Sequence, residues 1–179
     1  YAPAALEPLL RTQLDMFCPG LGYEVVFHAV DTTVSRIIFE DKSMTVTSIP
    51  LDHRVPCCGF LFREKPGRRH VLRDMIDCYE IPISQIDNIK NGFDWTTPDG
   101  EVVPNARLTT APDRTRAYAY YSDIRYMPKL HEAVEGVDLR YHDSTYTEAY
   151  ADRARPYYYS TDHQAVSLIH NKHSRHAYQ

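Results

Sequence analysis

The sequence of 179 residues is long enough for one domain with a hydrophobic core, or for part of a larger one. Its 43% hydrophobic and 25% charged residues exclude a disordered chain, and no apolar stretch approaches the length that spans a bilayer. The formal net charge of −4 gives no global case for nucleic-acid binding. The four cysteines form no C-x-x-C pair, which indicates buried thiols in a reducing cytosol rather than a zinc site.

The first third of the chain predicts a helix followed by strands. Apolar residues recur on one helical face over residues 4–17, which predicts an amphipathic helix. Residues 23–30 and 35–39 are rich in β-branched and aromatic residues and predict strands. Residues 44–49 alternate apolar and polar as a half-buried strand does, and the polar turn at residues 40–43 predicts a β-hairpin.

The middle of the chain predicts an excursion from the core sheet. One more strand is predicted over residues 59–64, and the pattern then changes. Residues 65–116 are polar, are interrupted by prolines and contain Asn-Gly and Asp-Gly turn signals. Two short helices fit this segment, at about residues 71–78 and 84–90.

Five cationic residues lie close together where this excursion begins, opposed only by Glu64. They are Arg63, Lys65, Arg68, Arg69 and Arg73. A solvated loop accounts for such a charge run. A basic protruding loop on an acidic protein can also grip a phosphate backbone, so both interpretations stay open.

The last third predicts a strand–helix–strand unit with polar residues at both strand ends. The strands are predicted over residues 117–121 and 137–141, and the helix over residues 128–135. Asp123 follows the first strand, and His142 and Asp143 follow the second. Loops after parallel strands are where α/β proteins build sites, and a carboxylate with an imidazole suits a metal or acid–base centre. Asp123 as a helix cap and His142 as an ordinary loop histidine fit the spacing equally well.

The C-terminal end predicts two further helices, over residues 146–155 and 162–171, the second capped by Ser160 or Thr161. Four histidines in this region admit a metal hypothesis, with a solvated, frayed segment as the alternative. They are His163, His170, His173 and His176. The elements together predict a mixed α/β fold, built around one sheet or two sheets face to face.

Several motifs carry a family resemblance. Residues 49–60 contain an L-x-H-x-x-P-x-x-G-aromatic segment, residues 62–67 begin the excursion, and residues 91–103 form its returning part. Asp123 closes a Tyr-Ser-Asp segment, and residues 136–146 are similar to a D-L-x-x-H-E-A-T-F loop. These segments resemble those of ribonuclease Z, the tRNA 3′-end endonuclease family of the metallo-β-lactamase superfamily.

The resemblance implies an α/β fold, namely a metallo-β-lactamase-like αβ/βα sandwich of which this chain contains a part. Residues 1–64 and 108–179 would belong to that domain, and residues 65–107 would form a protruding RNA-binding arm. The family's H-x-H-x-D-H signature is absent and its last zinc ligand would lie beyond Gln179, so we expect an incomplete chain. His173 is only a distant candidate for that ligand.

The resemblance also implies a zinc-dependent endoribonuclease that removes the 3′ trailer of tRNA precursors, with two zinc ions in a complete site. It assigns Asp123 as a bridging zinc ligand and places His142, Asp143 and His53 in the catalytic loops. For His53, a structural histidine bonded in a tight, proline-containing loop fits equally well. The five cations would hold the precursor tRNA by shape and phosphate contacts. A cytoplasmic homodimer without membrane association is implied by the family alone. Because one aspartate cannot hold zinc, we expect this chain alone to be inactive.

Two alternatives remain. The first is a truncated, metal-free relative that serves as an RNA-binding or dimerisation partner, which is favoured slightly because Tyr159 stands where the family's H-S-T loop has histidine. The second is a hydrolase of small phosphodiesters. The long excursion argues against the second alternative, since small substrates need no distant grip.

Overall fold

A computed structural model of the chain describes residues 1–122, 125, 127–154, 159–164, 166 and 176–178. The chain divides into two compact units. The sheet unit comprises Tyr1–Glu64 and Arg116–Gln179, and the insert unit comprises Lys65–Thr115. The insert unit begins where the sequence places the start of the arm and runs beyond the predicted end at Arg107.

The sheet unit contains a mixed sheet of six strands. They are β1 (Arg36–Glu40), β2 (Met44–Pro50), β3 (Cys58–Glu64), β8 (Ala117–Tyr121), β9 (Leu139–His142) and β10 (His176–Tyr178), which lie side by side in that order. The pairs from β1 to β8 are antiparallel, whereas β8, β9 and β10 are parallel. The predicted hairpin and the predicted parallel unit are both confirmed, and β10 is a strand that the sequence did not predict.

The helices of the sheet unit are short apart from the first. They are α1 (Leu6–Phe17), α5 (Leu130–Ala133) and α6 (Ala151–Ala154), the last preceded by a 3-10 turn at Glu148–Tyr150. The predicted N-terminal helix is confirmed, although it buries none of its residues. The strand predicted over residues 23–30 is wrong, because only Ala29 forms a bridge there, to Ala2. Tyr23 is 69% exposed, so its β propensity has no half-buried sheet surface to act on.

The two faces of the sheet differ in what covers them. On the covered face, strand residues pack with residues in and after α5 into one buried cluster: Ile49, Leu61, Ala117, Ala119, Tyr121, Leu130, Val134 and Val137. Alternate residues point to the opposite, open face, where Phe60 pairs with Tyr120 and Tyr120 pairs with Tyr141. Tyr120 and Tyr141 stack at 4.9 Å between ring centroids, yet 38% and 36% of these residues stay exposed.

The insert unit has its own small core. Its elements are β4 (His70–Val71), α2 (Arg73–Cys78), α3 (Ile83–Lys90), β5 (Trp95–Thr96), β6 (Val102–Val103), α4 (Asn105–Leu108) and β7 (Thr109–Thr110). Ile81, Ile89, Val103 and Leu108 form the buried cluster. The buried Asn105 amide donates to the carbonyls of Ile89 and Phe93 at 2.7 and 2.8 Å, which satisfies both its N–H groups. The two short helices predicted here are confirmed.

Two hydrogen bonds close the base of the insert, within the sheet unit. The backbone N–H of Glu64 donates to the Arg116 carbonyl at 2.9 Å, and the backbone N–H of Arg116 donates to the Glu64 carboxylate at 2.8 Å. We call this pair the neck. Among the described helices of both units, none is long and apolar enough to cross a membrane.

Candidate active-site loops

The candidate site lies at the carboxyl ends of the parallel strands β8 and β9. Tyr121 ends β8 and pairs in register with His142, which ends β9. The loops that follow these strands therefore begin side by side, as the sequence pattern predicts. Asp123, the predicted bridging ligand, lies two positions beyond β8 and outside the described residues.

His142 is a buried histidine, 6% exposed, whose ring contacts the Tyr121 ring edge to face at 5.1 Å. Its Nδ1 lies 2.7 Å from the Asp143 carbonyl oxygen, so Nδ1 carries the proton and donates. Nε2 is then an acceptor, and it has no hydrogen-bond partner among the described residues. Burial lowers the pKa of His142, opposed by its hydrogen bond to the Asp143 carbonyl and by the Asp143 charge. The site thus holds a neutral imidazole with an unprotonated Nε2.

Asp143 orients the histidine through its main chain rather than its carboxylate. The carboxylate is half-buried and accepts a weak hydrogen bond of 3.4 Å from the Thr145 hydroxyl. The carboxylate therefore remains close to the surface of the loop, and the backbone of Asp143 fixes the tautomer of His142.

His53 lies in the loop after β2, which is tied to the chain beyond β8. The Asp52 carbonyl accepts from the Arg125 backbone N–H at 3.1 Å, and the two side chains form an ion pair at 3.9 Å. Asp52 also donates its backbone N–H to the sulfur of Met127 at 3.1 Å. Nδ1 of His53 accepts from the Val55 backbone N–H at 3.3 Å, which places the proton of the neutral ring on Nε2.

A third loop reaches this edge through Tyr159. The Tyr159 ring lies 6.3 Å from the His53 ring and 6.0 Å from the Tyr146 ring. The sequence singled out His53 but did not predict that these three rings meet, because they come from loops far apart in the chain.

Hydrogen bonds join the Tyr146 loop to the Tyr159 loop. The buried Thr161 hydroxyl donates to the Glu148 carboxylate at 2.7 Å, and the Asp162 backbone N–H donates to the Tyr146 carbonyl at 2.9 Å. Thr161 and Gln164 form a reciprocal capping box, at 3.1 and 3.2 Å. The cap predicted at Ser160 or Thr161 is therefore provided by Thr161.

The five predicted cations are divided between the two units and have different partners. Arg63 belongs to the sheet unit and donates to the Glu135 carbonyl at 3.2 Å, whereas Lys65, Arg68, Arg69 and Arg73 belong to the insert unit. The three arginines of the insert unit have different kinds of partner. Arg68 pairs with Asp87 at 2.7 Å and Arg73 with Asp77 at 3.4 Å, while Arg69 donates to the Thr109 hydroxyl at 2.7 Å.

The charge of the insert unit is nearly balanced. It contains seven lysine and arginine residues against eight aspartate and glutamate residues. The Arg68 and Arg73 pairs are solvent-exposed and therefore weak, so these guanidinium groups can exchange partners at little cost. Arg69 is half-buried and bonded to the Thr109 hydroxyl, which in turn donates to Asn105, so it serves the insert's internal structure.

No group of three or more histidine, cysteine, aspartate or glutamate side chains that could hold a metal is found among the described residues. Of the C-terminal histidines, His170 and His173 lie outside the described residues, and His176 begins β10. The two vicinal cysteines beside the His53 loop are free thiols, and burial raises the pKa of Cys58.

Comparison with curated proteins identifies close relatives. The chain is 48% identical over 165 residues to ribonuclease Z of Phocaeicola vulgatus, covering 92% of this chain and 53% of the relative. It is 47% identical to ribonuclease Z of Bacteroides fragilis and 39% identical to that of Porphyromonas gingivalis, in each case over 94% of this chain and 55% of the relative. No protein-family model matches the chain.

Comparison with solved structures shows a likeness of fold. The crystal structure of human tRNase Z, short form, matches with a TM-score of 0.56 at 16% identity and covers 93% of this chain and 53% of that one. The expected fold, part of a metallo-β-lactamase-like αβ/βα sandwich, is confirmed, as is the resemblance to ribonuclease Z. The chain spans about half the length of the curated relatives it matches.

Proposed function

We propose, from the confirmed resemblance to ribonuclease Z, that the protein is a zinc-dependent endoribonuclease that removes the 3′ trailer of tRNA precursors. The proposal concerns the protein as a whole, since the chain spans about half of its relatives. The observation that carries it is 48% identity to a protein named ribonuclease Z over 165 residues. A homodimeric state and a cytoplasmic location complete the proposal and rest on the resemblance alone.

The two site histidines suit opposite roles in phosphodiester hydrolysis. His142 is held neutral with Nε2 unprotonated, so it can accept a proton or a hydrogen bond from a group beside the substrate. His53 carries its proton on Nε2, which suits donation to a phosphate oxygen. Their different backbone partners therefore support one acceptor and one donor at the same edge of the sheet. Asp143 supports the first role by fixing the ring of His142.

Two zinc ions in a complete site would activate a water molecule and stabilise charge on the transferring phosphorus. Asp123 is the proposed bridging ligand, because each oxygen of one carboxylate can bind a different ion. The residues that the structure describes do not by themselves supply the three ligands that a catalytic zinc needs. The metal part of the proposal therefore rests on Asp123 and the resemblance, and the roles of His142 and His53 do not depend on it.

We assign the grip on the body of the tRNA to the insert unit and to Arg63. Within the insert unit, the exposed Arg68 and Arg73 are the strongest candidates, since each can exchange an exposed carboxylate for a phosphate. Lys65 and Arg69 would add positive charge nearby, with Arg69 mainly supporting the insert. Because the insert unit is not basic overall, such contacts would be local rather than a broad electrostatic attraction.

Cleavage of a precursor tRNA by the zinc-loaded protein tests the reaction. We expect Asp123→Ala to lower the bound zinc and to abolish cleavage, while Asp15→Ala, an exposed aspartate in α1, changes neither. Metal content is measured by elemental analysis and cleavage by gel electrophoresis. Unchanged zinc stoichiometry in Asp123→Ala would refute the bridging role, and a wild-type protein that leaves the precursor intact would refute the activity.

Variants of the insert cations distinguish an enzyme that processes tRNA from one that hydrolyses small phosphodiesters. The double variant Arg68→Gln/Arg73→Gln should weaken precursor binding and reduce the salt slope by about one for each phosphate that is no longer neutralised. Hydrolysis of a small phosphodiester should not change. Arg11→Gln is the matched control, because Arg11 forms the same kind of exposed pair, at 2.7 Å with Glu7. An equal loss on both substrates would show that the two arginines do not act through tRNA.

A further inference from the structure

The three rings at the loop edge are arranged unlike the aromatic pairs on the open face of the sheet. Tyr120 and Tyr141 lie nearly parallel, at 18°, so each covers a face of the other. Tyr159 instead meets His53 at 63° and Tyr146 at 52°. Neither neighbour lies flat on the Tyr159 ring, and all three residues are half-buried. The rings therefore form an angled, partly open cluster rather than a closed stack.

Three separate loops deliver these rings, and hydrogen bonds keep two of the loops together. The Tyr146 and Tyr159 loops are joined by the bonds from Thr161 to Glu148 and from Asp162 to Tyr146. Such bracing holds these two loops together before any ligand arrives, which lowers the entropic cost of binding.

Two arginines lie in the chain segments next to this cluster, one of them paired with a carboxylate. Arg54 follows His53 directly and is exposed, and the side chain of Arg125 is 40% exposed while it pairs with Asp52 at 3.9 Å. An angled aromatic surface next to guanidinium groups is the combination that single-stranded RNA binds, with its base on a ring and its phosphates on the cations.

We propose that His53, Tyr146 and Tyr159 form a stacking subsite for one unpaired RNA base next to the phosphodiester that is cleaved, with Tyr159 as its central ring. This inference rests on the proposed function and deepens it, because it names the single-stranded part of the substrate that the loop edge recognises. Stacking tolerates any base, so the subsite selects an unpaired nucleotide rather than a sequence.

Fluorescence of a short single-stranded RNA that contains one 2-aminopurine tests the subsite without requiring cleavage. We expect quenching on binding to wild-type protein and to Tyr159→Phe, which keeps the ring. Tyr159→Leu should weaken binding by roughly 5- to 150-fold, the range of base–aromatic stacking. Tyr150→Leu is the matched control, because Tyr150 is 53% exposed in the adjoining 3-10 turn and lies outside the cluster.

A second arm changes the RNA, and its comparison of intact with abasic RNA on the wild-type protein does not depend on how the variants fold. Replacing the same nucleotide by an abasic one, with binding measured by competition against the 2-aminopurine RNA, should cost the same affinity as Tyr159→Leu, and the two changes together should cost no more than either alone. Equal binding of abasic RNA, or an equal loss in Tyr150→Leu, would overturn the subsite. Quenching by a protein that leaves precursor tRNA uncleaved would support the subsite and refute the proposed function.

Discussion

The two faces of the six-stranded sheet differ in how far their large apolar side chains are removed from water. On the covered face, Leu61 is 6% exposed and Tyr121 is 1% exposed, against the residues around α5. On the open face, Tyr120 and Tyr141 remain more than a third exposed although they stack on each other. Apolar surface stabilises a fold only to the extent that it is buried. The covered face therefore holds the sheet unit together, and the open face contributes less for the same chemistry.

The largest expected effect comes from opening the covered face. Leu61→Ala should lower the free energy of unfolding by about 2–5 kcal/mol, because it removes a buried side chain and leaves a cavity. Tyr120→Ala, from the open face, should cost less, since it loses the stacked pair, worth about 0.5–1.5 kcal/mol, and a side chain that is already more than a third exposed. Urea unfolding of both variants measures the difference. Equal losses would mean that the two faces are covered alike.

A smaller effect is expected where β3 approaches β8. A Cβ atom at Gly59 would lie 2.8 Å from the Tyr120 carbonyl oxygen and 2.9 Å from Tyr121 Cβ, and neither can move freely. Gly59→Ala should therefore cost about 1–3 kcal/mol through overpacking. Gly67→Ala is the control, since its nearest neighbour would be Pro112 Cβ at 3.6 Å. A midpoint for Gly59→Ala that matches the control would show that β3 and β8 can separate without loss.

The smallest expected effect is on the pH dependence of stability. It concerns β9, whose alternate residues lie on the two faces of the sheet. His142 points to the covered side and Tyr141 to the open side. Because burial lowers the pKa of His142 in the folded protein, the unfolded chain takes up this proton first as the pH falls. The stability that the folded protein gains by keeping His142 neutral is complete above the pKa of the unfolded histidine, about 6.5. It is lost as the pH falls towards the lowered pKa of His142 in the folded protein.

His142→Gln should remove this part of the slope, so its stability should change less between about pH 7 and pH 5 than that of the wild type. Tyr141→Phe should keep the wild-type slope. The measurement is the urea midpoint across that range. An identical slope in His142→Gln would mean that the histidine titrates alike in the folded and unfolded states.

Local patterns were enough to predict much of the sheet unit. The hairpin of β1 and β2, the parallel pair β8 and β9, and helix α1 follow from periodicity and from glycine and proline punctuation, which act over a few residues. The strand predicted over residues 23–30 failed because β propensity needs a partner surface, which only tertiary structure supplies. The alternation of apolar and polar residues also predicts that a strand has two different faces, but it does not predict which face other elements cover.

The candidate site could be predicted only where it follows strand ends. His142 and Asp143 were placed by the strand–helix–strand pattern, and the structure adds that the Asp143 carbonyl orients the ring. The contact between the Tyr159 and His53 rings could not be predicted from their spacing. The two residues are far apart in the chain, and only the tertiary structure brings their loops together. The pairing of Arg68 with Asp87 was also invisible in the charge run, since Asp87 lies in the next helix along the chain.

The neck has a consequence for the order in which the molecule folds. Pairing Phe60 with Tyr120 joins two strands that are separated in the chain by the whole insert, and the entropy lost on closing such a loop grows with its length. An insert that has already formed its own core shortens the effective loop, so the bonds between Glu64 and Arg116 close sooner. If the insert forms its core first, we therefore expect it to speed the pairing of a sheet in which none of its residues takes part.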